Sequence, residues 1–252
     1  MEGPSFFRQK VFLIGFPKSG TSSITKALES LGYRCAHWKY KDKFVGEMMR
    51  DAVAAGLAPV ARMPDIDAFT QMDFVEEEGT YWPQISLLDS LCHHYPDAKF
   101  ILNWRDLDAT LASMAKWPPD KPRPKPRPKM LERLMASDLP SMTHSPPFSE
   151  EEIRGWMERH WEHCKEVFGE SRNFLIFDIV RDDPENLKTF LGVAEKAKMW
   201  WGVANSLTEE KAKIQKLMEA KLAAKKKAIR DRERRDKARA NRRKGERRRR
   251  RK

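Results

Sequence analysis

Cysteine is scarce. Cys35, Cys92 and Cys164 are the 3 cysteines in 252 residues, and no two share the close spacing of a zinc-ligand pair or a redox dithiol. Neither a metal site nor a disulfide framework is suggested, and the thiols read as reduced packing residues. Long apolar runs are missing too. Residues 1–10 hold no signal-peptide core, and no later stretch reaches the roughly 18–20 apolar residues of a membrane span, so a soluble, cytoplasmic chain is expected. Positive charge is missing from most of the chain despite a formal net charge of +12. From Leu207 to Lys252 there are 22 Lys and Arg against 7 Asp and Glu, a balance of +15 that leaves residues 1–206 at −3. Composition therefore excludes a body wrapped in basic surface, and the tail needs its own account.

What is present is an alternation of strands and helices. Residues 10–16 form a short, β-rich apolar run, followed by Pro17, Gly20 and several hydroxyl residues. A helical pattern then runs through Leu28 and Leu31 to a C-terminal glycine, Gly32. Residues 33–38 read as a second strand that ends near His37. A helix is expected over 82–95, stopped by Pro96, and a buried strand over 99–104 feeds Arg105, Asp106 and a helix through Met114. Six prolines between 118 and 129 alternate with Lys, Arg and Asp, which favours an extended surface insert. Ser149 and Glu152 make a capping box for a helix reaching about Gly169, residues 173–180 supply another strand, and Asp183-Pro184 opens a helix ending near Gly192. The pattern predicts a three-layer α/β domain with a mainly parallel sheet over residues 8–205. A basic helical tail, fraying toward its end, is expected over 206–252, with an apolar stripe only at Ile214, Leu217, Met218 and Leu222.

A loop that leaves a buried strand and opens a helix is suited to phosphate, because first-turn N–H groups and the positive end of the helix dipole meet there. Gly15-Phe16-Pro17-Lys18-Ser19-Gly20-Thr21-Ser22-Ser23 has that position. In nucleotide triphosphatases the lysine directly follows the second glycine. Here Thr21 does, and the lysine sits inside the loop at Lys18, which weighs against an ATPase or GTPase.

Residues Pro17 through Ser22 resemble the 5′-phosphosulfate loop of the sulfotransferases that use 3′-phosphoadenosine 5′-phosphosulfate (PAPS), matching at every position. The same superfamily has a 3′-phosphate motif, a strand ending in arginine with a serine eight residues later, and Arg105 with Ser113 is similar to it. The likeness covers roughly residues 10–193, including Gly32-Tyr33, His37, the run from Tyr95 to Phe100, and Phe190-Leu191-Gly192. It departs from relatives at Thr110, where a tryptophan is common; in the region before Tyr81, where many have an acidic residue, this chain offers Gln71 and Asp73. Arg243-Lys244-Gly245 matches an adenine-binding triplet by coincidence, inside low-complexity sequence.

The resemblance implies a P-loop-like fold and sulfuryl transfer from PAPS to a hydroxyl or amine acceptor, without a metal. Pro17, Lys18, Ser19, Gly20, Thr21, Ser22, Arg105 and Ser113 would bind the co-substrate, with Lys18 on the bridging oxygen of the leaving nucleotide. His37 is the candidate general base, able to titrate near neutral pH. Asp65, Asp67 and Asp73 are rivals, each read as a solvated carboxylate in a loop-rich stretch. The pairs His93-His94 and His160 with His163 are read as parts of amphipathic helix faces. Two other classes stay open: a P-loop small-molecule kinase needing magnesium, and a catalytically silent domain whose tail binds polyanions or directs the chain to the nucleus.

Overall fold

A computed structural model describes residues 9–76, 79–118 and 128–204. The basic tail and residues 119–127 of the proline-rich insert lie outside the described residues. In chain order the elements are β1 (Val11–Leu13), α1 (Thr21–Ser30), β2 (Cys35–His37), β3 (Lys39–Tyr40), β4 (Lys43–Phe44), α2 (Val45–Ala54), β5 (Ala68–Gln71), β6 (Phe74–Glu76) and β7 (Gly79–Tyr81). They continue with α3 (Pro83–Ser86), α4 (Leu88–His94), β8 (Lys99–Trp104), α5 (Leu107–Met114), α6 (Met130–Met135), α7 (Glu150–Phe168), β9 (Phe174–Asp178) and α8 (Pro184–Phe190).

The main sheet runs β4-β3-β2-β5-β1-β8-β9. Its five central strands, β2, β5, β1, β8 and β9, are parallel, and β3 and β4 add an antiparallel edge. Side chains alternate across the sheet, as the two-residue period of a strand demands. Val11, Leu13 and Ile101 face α1 and α8 through Ile24, Ala27, Leu28 and Leu187. Phe12, Ile14, Phe100 and Leu102 face the other way, into a larger core with α2, α4, α5, α6 and α7. Apolar runs buried on both faces are the mark of a parallel sheet between helical layers, and the expected three-layer α/β architecture is what forms. Each fully buried side chain such as Phe12 or Ile14 contributes about 1.5–3 kcal/mol.

Ser149 caps α7 as expected, with its Oγ accepting from Glu152 N at 3.2 Å while Glu152 accepts from Ser149 N at 2.7 Å. Two expectations are corrected. Residues 82–95 form two helices because Leu87, at φ −120°, leaves the helical region and turns into the core. The stretch read as loop before Tyr81 contains β5, which lies in the sheet between β1 and β2. Its ladder with both neighbours holds it, Ala68 pairing with Val11 and with Cys35.

Candidate active site

All five parallel strands end on one edge, where loops leaving open α/β sheets bind ligands. Ile14 N donates to Ile101 O at 2.9 Å, carrying the β1–β8 ladder one residue past β1. Gly15 then passes so close to β8 that an added Cβ would lie 2.3 Å from Asn103 O. The fully buried Asn103 side chain organises the loop. Its Oδ1 accepts from Gly15 N at 3.1 Å, and its Nδ2 donates to Phe16 O at 3.3 Å, Ser19 O at 3.2 Å and Ser19 Oγ at 2.8 Å. A β8 side chain thus supplies the hydrogen bonds that the loop's backbone, lacking a ladder partner, would otherwise be denied.

Within the loop Pro17 and Ser19 are buried, and Lys18 and Gly20 are partly exposed. The Ser19 hydroxyl is turned inward, donating to Phe16 O. Lys18 has φ 69°, a left-handed conformation that non-glycine residues seldom adopt. Gly20, at φ 85°, caps α1 without a side chain, and a Cβ there would lie 2.7 Å from Ile179. Thr21 begins the helix and Ser22 follows it, so the positive end of the α1 dipole meets the loop.

Arg105 of the second predicted half-site reaches the loop. Arg105, one residue past β8, donates from Nη1 to Lys18 O at 3.2 Å. The next residue, Asp106, caps α5 by accepting from Ala109 N at 2.9 Å, and Ser113 sits partly exposed on that helix's second turn. Thr110 is fully buried and donates its hydroxyl to Asp106 O at 2.9 Å.

His37, at the end of β2, lies against the first turns of α1. Its Nε2 is 3.3 Å from Ser22 Oγ, and its Nδ1 is 3.1 Å from both Thr25 Oγ1 and Thr70 Oγ1. Thr25 Oγ1 is also 2.7 Å from Thr21 O, and Thr70 Oγ1 is 3.3 Å from Ala36 O. Thr25 Oγ1 also donates to Thr70 Oγ1 at 2.8 Å, so the two threonine hydroxyls and the His37 ring form one hydrogen-bonded network, with Nε2 on the side of Ser22. Burial pushes the imidazole down to about 4, so it is neutral at pH 7.

A family model described as a sulfotransferase domain matches residues 10–209. The chain belongs to that family. Comparison with curated proteins returns no match. The membership makes the chain a transferase of the sulfuryl-transferring class, and among the described residues no helix is long and apolar enough to cross a membrane.

Behind the cradle of this sulfotransferase domain lies a buried polar group read from sequence as solvated. Asp73 is 2 % exposed and accepts from Gln71 Nε2 and Gln84 Nε2, each at 3.3 Å. The same Gln84 Nε2 is 3.3 Å from Gly15 O, linking the carboxyl to the start of the cradle. Burial pushes Asp73 up to about 7, against the pull of its amide donors. Asp67 is not solvated either: Arg34 donates to both its oxygens, from Nε at 3.0 Å and Nη2 at 2.9 Å. Asp65 is exposed and accepts from Tyr40 Oη at 2.7 Å. His160, expected on an amphipathic face, is buried on α7 with Nε2 2.7 Å from Ile14 O, directly before the cradle. Burial lowers it to about 4, so the neutral ring donates to that carbonyl. A lone asparagine in the apolar run of β8 was the one sequence signal that could have marked Asn103, since a polar side chain buried among apolar ones needs hydrogen-bond partners.

Proposed function

We propose that the protein transfers a sulfuryl group from PAPS to a hydroxyl or amine acceptor. The strongest support is that Arg105 rests against the cradle, its Nη1 on Lys18 O, so a cationic fork adjoins a loop that carries its own lysine. The residues fit the co-substrate in kind. The loop from Gly15 to Ser22 suits the 5′-phosphosulfate end, and Arg105 with Ser113 suits the 3′-phosphate. PAPS supplies the activated sulfur. Lys18 neutralises charge on the oxygen that bridges sulfur and phosphate as that bond breaks, and His37 Nε2 accepts the acceptor's proton. Positioning and charge stabilisation carry the reaction, as in phosphoryl transfer.

The test is calorimetry with the product nucleotide, 3′-phosphoadenosine 5′-phosphate (PAP), in EDTA. Arg105→Ala should bind PAP about 10- to 150-fold more weakly, as expected for lost charged hydrogen bonds of about 1.5–3 kcal/mol. Lys18→Ala should bind PAP with a smaller loss and turn over PAPS far more slowly. Unchanged PAP affinity in Arg105→Ala refutes the 3′-phosphate assignment, and strict magnesium dependence favours the kinase reading. The basic residues 207–252 are proposed as a separate polyanion-attracting segment, whose affinity should fall steeply with salt.

A further inference from the structure

We infer that Trp117 is a positioning residue for Lys18, its indole face holding the ammonium at the reacting end of the cradle. This rests on the sulfuryl-transfer reading above. Lys18 Nζ lies 3.9 Å from the centroid of the Trp117 ring. The other end of the lysine is fixed by its left-handed backbone and by Arg105 on its carbonyl. Held at both ends, the four-carbon stem has few conformations left, whereas an unrestrained lysine is among the most flexible side chains.

The ring itself is well anchored. Trp117 N donates to Met114 O at 3.2 Å, at the end of α5, and Trp117 O accepts from Met130 N at 2.6 Å, at the start of α6. Pro118 O accepts from Lys129 Nζ at 2.9 Å, and the indole packs on the larger core. Trp117 therefore moves with α5, the helix that carries Ser113 and follows Arg105. α5 thus carries Ser113 and, through Met114 O, anchors the backbone of Trp117, whose ring lies against the lysine.

The face of an indole attracts a cation and shields one side of it from water. An ammonium so shielded is less hydrated, and it meets developing negative charge with less competition from solvent. The contact should therefore favour turnover more than nucleotide binding. Its expected size is about 2- to 30-fold in rate.

The experiment uses the full chain and the variants Trp117→Leu and Trp117→Phe. Reductive ¹³C-methylation keeps lysines cationic, and the Lys18 signal is assigned by its loss in Lys18→Arg. That signal should show an upfield ring-current shift in the parent protein, a smaller one in Trp117→Phe and none in Trp117→Leu. Untreated samples are assayed for release of PAP from PAPS with water as acceptor: water oxygen bonds to sulfur, the bridging S–O bond breaks, and sulfate and PAP leave. Trp117→Leu should slow this about 2- to 30-fold with PAP affinity within about twofold, and Trp117→Phe should recover most of the rate. Faster turnover in Trp117→Leu would mean that the ring sequesters the lysine. Absence of the ring-current shift, or a parallel loss of PAP affinity, equally overturns the inference. If the parent protein binds no PAP, the proposed function fails, and the role given to the ring fails with it.

Discussion

Replacing Asp73 with asparagine removes a buried ionisable group while keeping its shape, and the consequence depends on pH. The carboxyl is 2 % exposed, and burial raises it from 3.8 to about 7. Between those values the folded protein binds a proton that the unfolded chain has released. Stability must then fall as pH rises through this window, by about 1.4 kcal/mol per pH unit, and level off above about pH 7. Allowing for rounding near the folded-state value, the wild-type protein loses about 2.5 kcal/mol between pH 5 and pH 8 from this residue. Asp73→Asn has no such loss. Both proteins carry the same histidines with lowered values, His37 and His160, which cost stability as pH falls below about 6.5, so that contribution cancels in the difference. Thermal unfolding at pH 5, 6, 7 and 8 reads the effect. The variant's melting temperature relative to wild type should rise by about 5–10 °C from pH 5 to pH 8, using about 2–4 °C per kcal/mol for a chain of this size. A constant difference across that range, or one that shrinks, would show that Asp73 ionises as an ordinary solvated carboxylate and would refute the reasoning.

The other predictions concern the cradle and the base. With His37 lowered to about 4, PAPS turnover that uses its neutral Nε2 should stay flat from pH 8 down to about pH 5; a loss of rate on acidification through pH 7 would instead implicate Asp73, at about 7. Gly15→Ala should destabilise by about 1–3 kcal/mol or more and abolish PAP binding, because its Cβ would lie 2.3 Å from the Asn103 carbonyl oxygen; normal binding by calorimetry would contradict the close approach. Asn103→Leu fills a similar space but leaves Gly15 N–H unpaired, so unfolding free energy should drop by about 1–3 kcal/mol and PAP affinity should fall with it.

The cradle and its partner strand were legible in sequence because their signals are local. Pro17, Lys18 and Gly20 sit between an apolar strand and a helical period, and the strand before Arg105 is apolar from Phe100 to Trp104 except for Asn103. His37 was placed correctly at the end of a strand. β5 was missed because Ala68, Phe69, Thr70 and Gln71 have no β-branched run and no marked alternation; their strand character comes from pairing on both sides with β1 and β2, which is tertiary information. The same miss turned Asp73 into a solvated carboxylate, since a residue just past an unrecognised central strand gives no sign of its burial. His160 and His163 looked alike on one helix, yet only His160 is buried, and its contact with Ile14 lies 146 residues away in sequence.

The dependence of the loop on Asn103 also orders events during synthesis. The loop follows the first strand, but the amide that holds Gly15 comes 88 residues later. At about 5–20 residues per second, a ribosome takes about 4–18 s to add that many residues, and longer to expose them. Throughout that interval the nascent chain carries the loop without the amide that holds Gly15 N, Phe16 O and Ser19. Fragments that end before β8 should therefore bind no nucleotide, although they contain every residue from Gly15 to Ser23.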